Sequence, residues 1–359
     1  MKATGLCGSD LHYFNHGRNG NFVLKEPLCL GHESAGIVTA VSNSTTENGT
    51  IPVPPSTLKV GDRVAMEVGL PCRQCELCTS GRYNLCPTLR FKSSAKTFPH
   101  LDGTLQTVIT HPANMCHKLP ESVSFEQGAL VEPLAVSLHG IRRSQMGEST
   151  PLNGSSALVI GAGAVGMLTA AALAVSGVSK IVVADIDAPR LKIVEEIAGG
   201  RFNFQTYLNP MAPRPASTEE AFSQADALAK EICSFEALAS GFDRVFECTG
   251  VPSCVQTGCY AAKAGGKLVL IGMGSSGMPL PTPALALREV DMIGVFRYAN
   301  NYPAAIALFA SGQLDGVAEA LVTHRVKLED GERAFRLAAN KANPGEDEGR
   351  TPVKVLVVS

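Results

Sequence analysis

The stretch from Ala157 to Gly166 constrains this chain more than any other part of its sequence. It reads ALVIGAGAVG, with β-branched and small apolar residues running into Gly161-x-Gly163-x-x-Gly166. An alanine-rich, helix-forming run continues to Ser176, and a second apolar run, Ile181 to Ala184, stops at Asp185. Strand, glycine turn, helix, strand and acid, with the acid about twenty residues past the turn, is the order a dinucleotide-binding unit requires. Gly161 permits the tight turn, Gly163 lets the backbone approach a pyrophosphate, and Gly166 lets the helix pack on the strand. The helix N-terminus then presents unpaired N–H groups and the positive end of its dipole to the phosphates. A carboxylate at Asp185 hydrogen-bonds the adenosine ribose and repels a 2′-phosphate, and Ile186 and Asp187 follow it rather than an arginine. NAD is therefore expected in preference to NADP. As a plain helix N-cap, Asp187 is a better candidate than Asp185.

The alternation continues downstream. Helices are expected over 189–198, 218–238, 252–262 and 302–311, and strands near 204–208, 242–249, 267–272 and 291–297. Repeated strand–helix–strand units imply an α/β fold with a doubly wound parallel sheet covered on both faces. The chain before Pro151-Leu152-Asn153-Gly154, the expected linker, has another character. Short strands are expected over Gly36–Val41, Val60–Ala65 and Thr104–Thr110, in the manner of a small β-barrel, with a helix over Phe125–Leu138 that carries Glu132 and ends just before His139. Strands at Val322–Val326 and Val353–Val358 are expected to return to this first domain. Residues 42–57 have turn composition and read as an exposed loop.

A chain of 359 residues with net charge −2 and no tryptophan has room for two domains and gives no reason to expect nucleic acid or an anionic membrane as partner. No apolar run has the length of a membrane span; the longest, Met167 to Val175, belongs to the nucleotide unit. Of eleven cysteines, four are clustered. Scattered ones such as Cys29, Cys116, Cys233, Cys254 and Cys259 read as small buried hydrophobes in a reducing compartment, so a cytoplasmic protein is expected. The glycosylation sequons at Asn43, Asn48 and Asn153 then read as chance matches.

The cluster is Cys72-x2-Cys75-x2-Cys78-x7-Cys86. Four thiolates close a tetrahedral shell around zinc with no open position, the structural type. A disulfide pair fits a reducing compartment poorly. An iron–sulfur cluster shares the ligand type, but nothing else in the sequence points to electron transfer. Arg73 and Arg82 lie among the ligands and can offset their negative charge. A second, dispersed set consists of Cys7, His32 and either Glu33 or Glu132. Three such ligands leave a zinc coordination position open, the catalytic type. Adjacent strand residues point to opposite faces, so His32 and Glu33 reach one ion only if Gly31 marks a kink.

CGSDLHYF, LGHESAG, the four-cysteine loop, LVEPLAVSLHG, VIGAGAVG, ECTGV and GVFRYAN occur in this order along nearly the whole chain. In them the chain resembles the zinc-dependent medium-chain dehydrogenases, and among those the polyol dehydrogenases of sorbitol, xylitol or L-arabinitol. The resemblance implies a GroES-like β-barrel catalytic domain over 1–152 with a structural-zinc loop at 70–88, a Rossmann domain over 153–312, and a C-terminal return over 313–359. It implies catalytic zinc on Cys7, His32 and Glu33, with Glu132 either ligating the ion or holding its water. It implies cofactor contacts from Gly161, Gly163, Val165, Gly166, Asp185, Arg190, Thr249 and Gly250. Zinc would lower the pKa of the substrate hydroxyl, Ser9 would accept its proton, and His12 would pass that proton on through the cofactor ribose to solvent. Tyr13, Arg297 and Tyr298 would line the polyol pocket. A homotetramer is implied as well.

The family carries further barrel strands upstream of the CGSD cysteine. The chain is therefore expected to be N-terminally truncated and to leave an open sheet edge. Residues 43–57, 209–217 and 342–351 look longer than the family pattern. Two alternatives follow: another zinc-dependent alcohol or L-threonine dehydrogenase, or a truncated homologue that binds zinc and nucleotide without turnover. The tyrosine after His12 and the Phe296-Arg297-Tyr298 triplet favour polyols.

Overall fold

The computed structural model describes residues 1–42, 46–47, 51–52, 57–146, 151–235, 237–274, 277–341, 343 and 349–359. Most of the loops expected at 42–57 and 342–351, and the sequons at Asn43 and Asn48, lie outside the described residues. The chain divides into two compact units, Met1–Ala135 with Ala299–Ser359, and Val136–Tyr298.

The first unit opens with β1 (Ala3–Gly5), α1 (Gly8–His16), β2 (Glu33–Ile37), β3 (Arg63–Met66) and β4 (Cys116–Lys118). Helix α2 (Phe125–Ser144) contains the point at which one unit gives way to the other. The second unit runs through β5 (Ser156–Ile160), α3 (Ala164–Val175), β6 (Lys180–Asp185), α4 (Ala188–Ala198) and β7 (Phe204–Leu208). It continues with α5 (Thr218–Phe235), β8 (Phe242–Glu247), α6 (Pro252–Ala261), β9 (Ala262–Leu270) and β10 (Asp291–Gly294). The return to the first unit supplies α7 (Tyr302–Ala310), β11 (Val322–Lys327), α8 (Gly331–Ala338) and β12 (Lys354–Val358).

In the second unit six parallel strands take the order β7-β6-β5-β8-β9-β10. Their apolar residues run continuously rather than alternately because both faces are covered. Leu158, Val182, Val245 and Leu268, one from each of four strands, are fully buried in one cluster. The strand order reverses between β5 and β8, and ligands of such sheets bind at the carboxyl ends of the strands flanking that point. Gly161 follows β5 and Thr249 closely follows β8.

In the first unit the sheet order is β4-β3-β2-β1-β12-β11. β1 runs antiparallel to both neighbours, so that Gly5 faces Glu33 on one side and Leu356 on the other. The first strand is thus not an open edge, contrary to expectation; among the described strands β4 and β11 end the sheet. The last strand returns to this sheet as expected.

Other expectations need correction. Residues 104–110 form no strand. Instead Gly103, Thr104 and Leu105 donate to the carbonyls of Cys29, Gly31 and Leu30 in an irregular pairing. A Cβ at Gly103 would lie 2.3 Å from the Leu30 carbonyl oxygen, an approach closer than a regular ladder allows. β2 begins at Glu33 rather than Gly36, and α2 runs on past Leu138 to take in His139.

Candidate metal and nucleotide sites

Cys72, Cys75, Cys78 and Cys86 each bring a sulfur within 4.8 Å of the others. Cys72 Sγ and Cys78 Sγ are 3.9 Å apart, the spacing of two thiolates on a tetrahedral ion with Zn–S near 2.3 Å. Chain geometry serves this convergence: Arg73 adopts a left-handed φ of 63° between the first two ligands, and the Cys72 N–H points at Cys86 Sγ. Backbone N–H groups of Gln74 and Cys75 hold the Cys72 thiol down at about 6, whereas burial and a hydrogen bond to Cys75 push Cys78 up to about 12. Such a spread is what one pocket does to four thiols competing to ionise without a cation. An ion charges all four, so the donor set fits a structural zinc.

The dispersed set also comes together. Cys7, His32 and Glu33 place a sulfur, a ring nitrogen and a carboxylate oxygen within 4.8 Å of one another. Gly31 has φ +90°, the kink that lets consecutive residues His32 and Glu33 face one point. Cys7 precedes α1, where the Cys7 N–H donates to Asp10 Oδ2 at 3.0 Å, half of a capping box. Asp10 is fully buried, and its other oxygen accepts from Ser93 Oγ at 2.6 Å and Gly31 N at 3.1 Å and lies 3.2 Å from His32 Nδ1. With Nδ1–H given to Asp10, Nε2 is the lone-pair nitrogen offered to a metal. Glu33 is 1% exposed, and both its oxygens accept from Lys354 Nζ, at 2.8 and 2.6 Å. A Cβ at Gly5 would sit 2.2 Å from Glu33 Oε2, so the missing side chain makes room for the carboxylate. Glu132, buried in α2, is not one of the converging ligands, yet its charge helps raise the pKa of Lys354.

Asp10 and Lys354 are the site groups that sequence reasoning did not assign. Asp10 was visible as the acid three residues after an N-cap. No local signal marked Lys354.

Burial depresses the pKa of His32, but the Asp10 charge and the hydrogen bonds His32 makes with Asp10 and Cys7 outweigh it and leave it well above the usual 6.5. Asp10 is held low: burial raises it, and the charge and hydrogen bond of His32 more than compensate. In the metal-free chain the charge on His32 therefore stabilises the fold below its ordinary pKa, and this is lost as pH rises through the raised one. The stabilisation from Asp10 is lost in acid, as pH falls through its lowered value. A metal must displace the His32 proton, so zinc affinity at this site should fall at least about tenfold per pH unit below the raised pKa. Zinc titrations from pH 8 to 6 check this; an affinity flat with pH would contradict ligation by His32.

The remaining residues of the first unit that sequence reasoning selected have plain positions. Ser9 is half-buried and His12 exposed, three residues apart on α1 and hence neighbours on its surface. Tyr13 is 3% exposed, and its hydroxyl accepts from the Ala95 N–H at 3.0 Å. Arg82 is exposed and Arg73 half-buried beside the thiols.

In the second unit Gly161 takes φ +107°, and a Cβ there would meet Thr249 Cγ2 at 2.6 Å. At Gly166 a Cβ would lie 1.8 Å from the Gly161 carbonyl oxygen. A Cβ at Gly163 would meet nothing within 4 Å, and α3 begins there without a side-chain cap. This open space over an uncapped helix N-terminus fits a pyrophosphate. Val165 lies in the first turn of α3. Asp185 Oδ2 accepts from Ala162 N at 2.5 Å and Oδ1 from Asp187 N at 2.9 Å, which fixes the carboxylate beside the turn with lone pairs to spare. Asp187 is the N-cap of α4, accepting from Arg190 N at 3.1 Å. Buried Glu247 accepts from the N–H groups of Thr249 and Gly250 and so shapes the turn after β8. Arg297 has a left-handed φ of 54°, and Tyr298 is buried.

Comparison with known proteins agrees with this layout. Residues 1–121 match the family model of the alcohol dehydrogenase GroES-like domain, and residues 164–311 that of the zinc-binding dehydrogenase. The chain is 42% identical to the sorbitol dehydrogenase of Mus musculus, over 94% of this chain and 84% of that one. It is 40% identical to the probable D-xylulose reductase A of Emericella nidulans, again over 94% and 84%. Among solved structures, L-idonate 5-dehydrogenase of Escherichia coli superposes with a TM-score of 0.80 at 29% identity, covering 100% of this chain and 89% of that one.

Proposed function

The chain belongs to the zinc-dependent medium-chain dehydrogenases, oxidoreductases acting on CH–OH groups, and from that premise we propose that it oxidises a secondary hydroxyl of a sugar alcohol to the ketose with NAD as hydride acceptor. Sorbitol, xylitol and L-arabinitol are the substrates in view. The observation that carries this reading is the convergence of Cys7, His32 and Glu33 in the first unit, three ligands that leave a position for a hydroxyl. The relatives named for sorbitol and D-xylulose support the substrate class.

When bound, zinc supplies the Lewis acidity that makes a hydroxyl acidic near neutrality, and the nicotinamide accepts the hydride. The protein's own contribution is positional. Asp10 locks His32 in one tautomer. Ser9 accepts the hydroxyl proton as it passes its own on toward His12, its neighbour on α1 and open to solvent, which releases a proton to water. Glu132 stands by the cluster as a further ligand or as the group that holds its water. By the family resemblance we assign Tyr13, Arg297 and Tyr298 to recognition of the remaining polyol hydroxyls. A homotetramer in the cytoplasm is part of this proposal, on the resemblance alone. Among the described residues no helix is long and apolar enough to cross a membrane.

A panel of xylitol, sorbitol, L-arabinitol, L-idonate, L-threonine and ethanol, read by NADH absorbance, tests the proposal. Turnover should be greatest with one of the three polyols, and preference for L-threonine or ethanol would overturn the substrate class. Silence on every substrate, with zinc and NAD still bound, would favour the homologue without turnover. Asp185→Ser should lower kcat/KM for NAD by about 10- to 100-fold, the loss of a charged hydrogen bond worth roughly 1.5–3 kcal/mol. It should also move the NAD/NADP ratio toward NADP; an unchanged ratio would remove Asp185 from cofactor choice.

A further inference from the structure

Lys354 is 3% exposed, on a strand that reaches the site from the far end of the sequence. Its ammonium makes three hydrogen bonds, two to Glu33 and one to the Leu6 carbonyl at 3.0 Å, one residue before Cys7. β12 lies against β1, which lies against β2, and Gly5 has no side chain between the cation and Glu33. Glu33, both of whose oxygens Lys354 bonds, is a candidate ligand of the ion, and the Leu6 carbonyl it holds leads directly into another, Cys7.

A buried ion pair that served only packing would be a poor device, since an apolar pair of equal volume does as well or better. Here the pair sits where a dication is to bind. We infer that Lys354 is the resident counter-cation of this cluster, holding Glu33 and the Leu6 carbonyl before Cys7 in place without metal and opposing the metal's charge with its own, so that the last strand sets how tightly zinc is held. Glu33 is then shared between two cations, Lys354 and the ion. The inference rests on the reading of Cys7, His32 and Glu33 as a zinc site.

The two stabilities should respond in opposite directions, which a merely structural lysine would not produce. With the structural zinc left in place, zinc titrations against a competing chelator are run on the wild-type chain, K354M, E33Q and E33Q/K354M. K354M should bind zinc at least about tenfold tighter, because a like charge near the ion is gone and Glu33 is released to it. Metal-free K354M should melt below the metal-free wild type, and zinc should narrow that gap. Zinc binding by K354M equal to or weaker than wild type would overturn the inference. Should K354M fail to fold, the double variant is compared with E33Q: tighter zinc binding in the double variant supports the inference, and equal or weaker binding overturns it. A Cys7→Ala chain tells the two failures apart. If it binds as much zinc as wild type, the site itself is misread and the inference falls with it.

Discussion

Replacing Cys7 by alanine should lower turnover more than about 10³-fold, beyond the 10–100-fold that loss of an outer partner of a metal ligand costs, and should remove one of two zincs per chain. The fold should survive, because alanine keeps the backbone hydrogen bonds by which Cys7 starts α1. Its N–H donates to Asp10, and its carbonyl accepts from Asp10 N and Leu11 N at 3.0 and 3.2 Å. The thiol is half-exposed and its loss opens little space. Cys7 is nevertheless the one sulfur in the set that meets His32 and Glu33. Elemental analysis, circular dichroism and NADH production from a polyol read the three consequences separately. An inactive Cys7→Ala chain that kept both zincs would show that Cys7 acts on the substrate rather than on the ion. A chain that lost its helical signal as well would show that the thiol holds the fold.

The two units differ in how much of this could be read from residues. In the second, glycine positions and continuous apolar strands carry their meaning locally. Gly161 needs its positive φ, Gly166 cannot bear a Cβ, and Phe204–Leu208 is a strand over the residues that composition suggests. In the first unit, partners decide. Thr104–Thr110 alternates like a strand but meets Leu30 and Gly31 too closely to form a ladder, and β2 starts at Glu33 because β1 pairs Gly5 with it. The metal ligands could be named because cysteine and histidine are rare enough for spacing to be informative. Lys354 could not, since a lysine at the start of a short terminal strand reads as a solvated end. Only the placement of β12 beside β1 buries it against Glu33.

The largest loss of stability should come from Cys75→Ala. A structural zinc contributes roughly 10–16 kcal/mol of apparent binding energy in small domains, and three thiolates left around an ion cannot close its shell. Beyond the metal, the loop holds groups that the sheet needs. Tyr83, between Cys78 and Cys86, gives its hydroxyl proton to buried Glu67 at 2.5 Å, and Asn300 N donates to the same hydroxyl at 2.7 Å. Asn300 Nδ2 also bonds the Gly81 carbonyl at 2.9 Å. When the loop unravels, Glu67 loses the Tyr83 hydroxyl and keeps, among the described residues, His117 Nε2 at 2.8 Å on its side chain, and a buried carboxylate short of donors costs several kcal/mol. Thermal melts should therefore show a lower first transition in Cys75→Ala, and in the wild type stripped by a chelator, with early proteolysis between Cys72 and Arg90. In the stripped wild type, Cys72, its thiol held at about 6, should be the first of the four to react with an alkylating reagent at neutral pH. A Cys75→Ala chain that melts with wild type and retains both zincs would remove Cys75 from the ligand set.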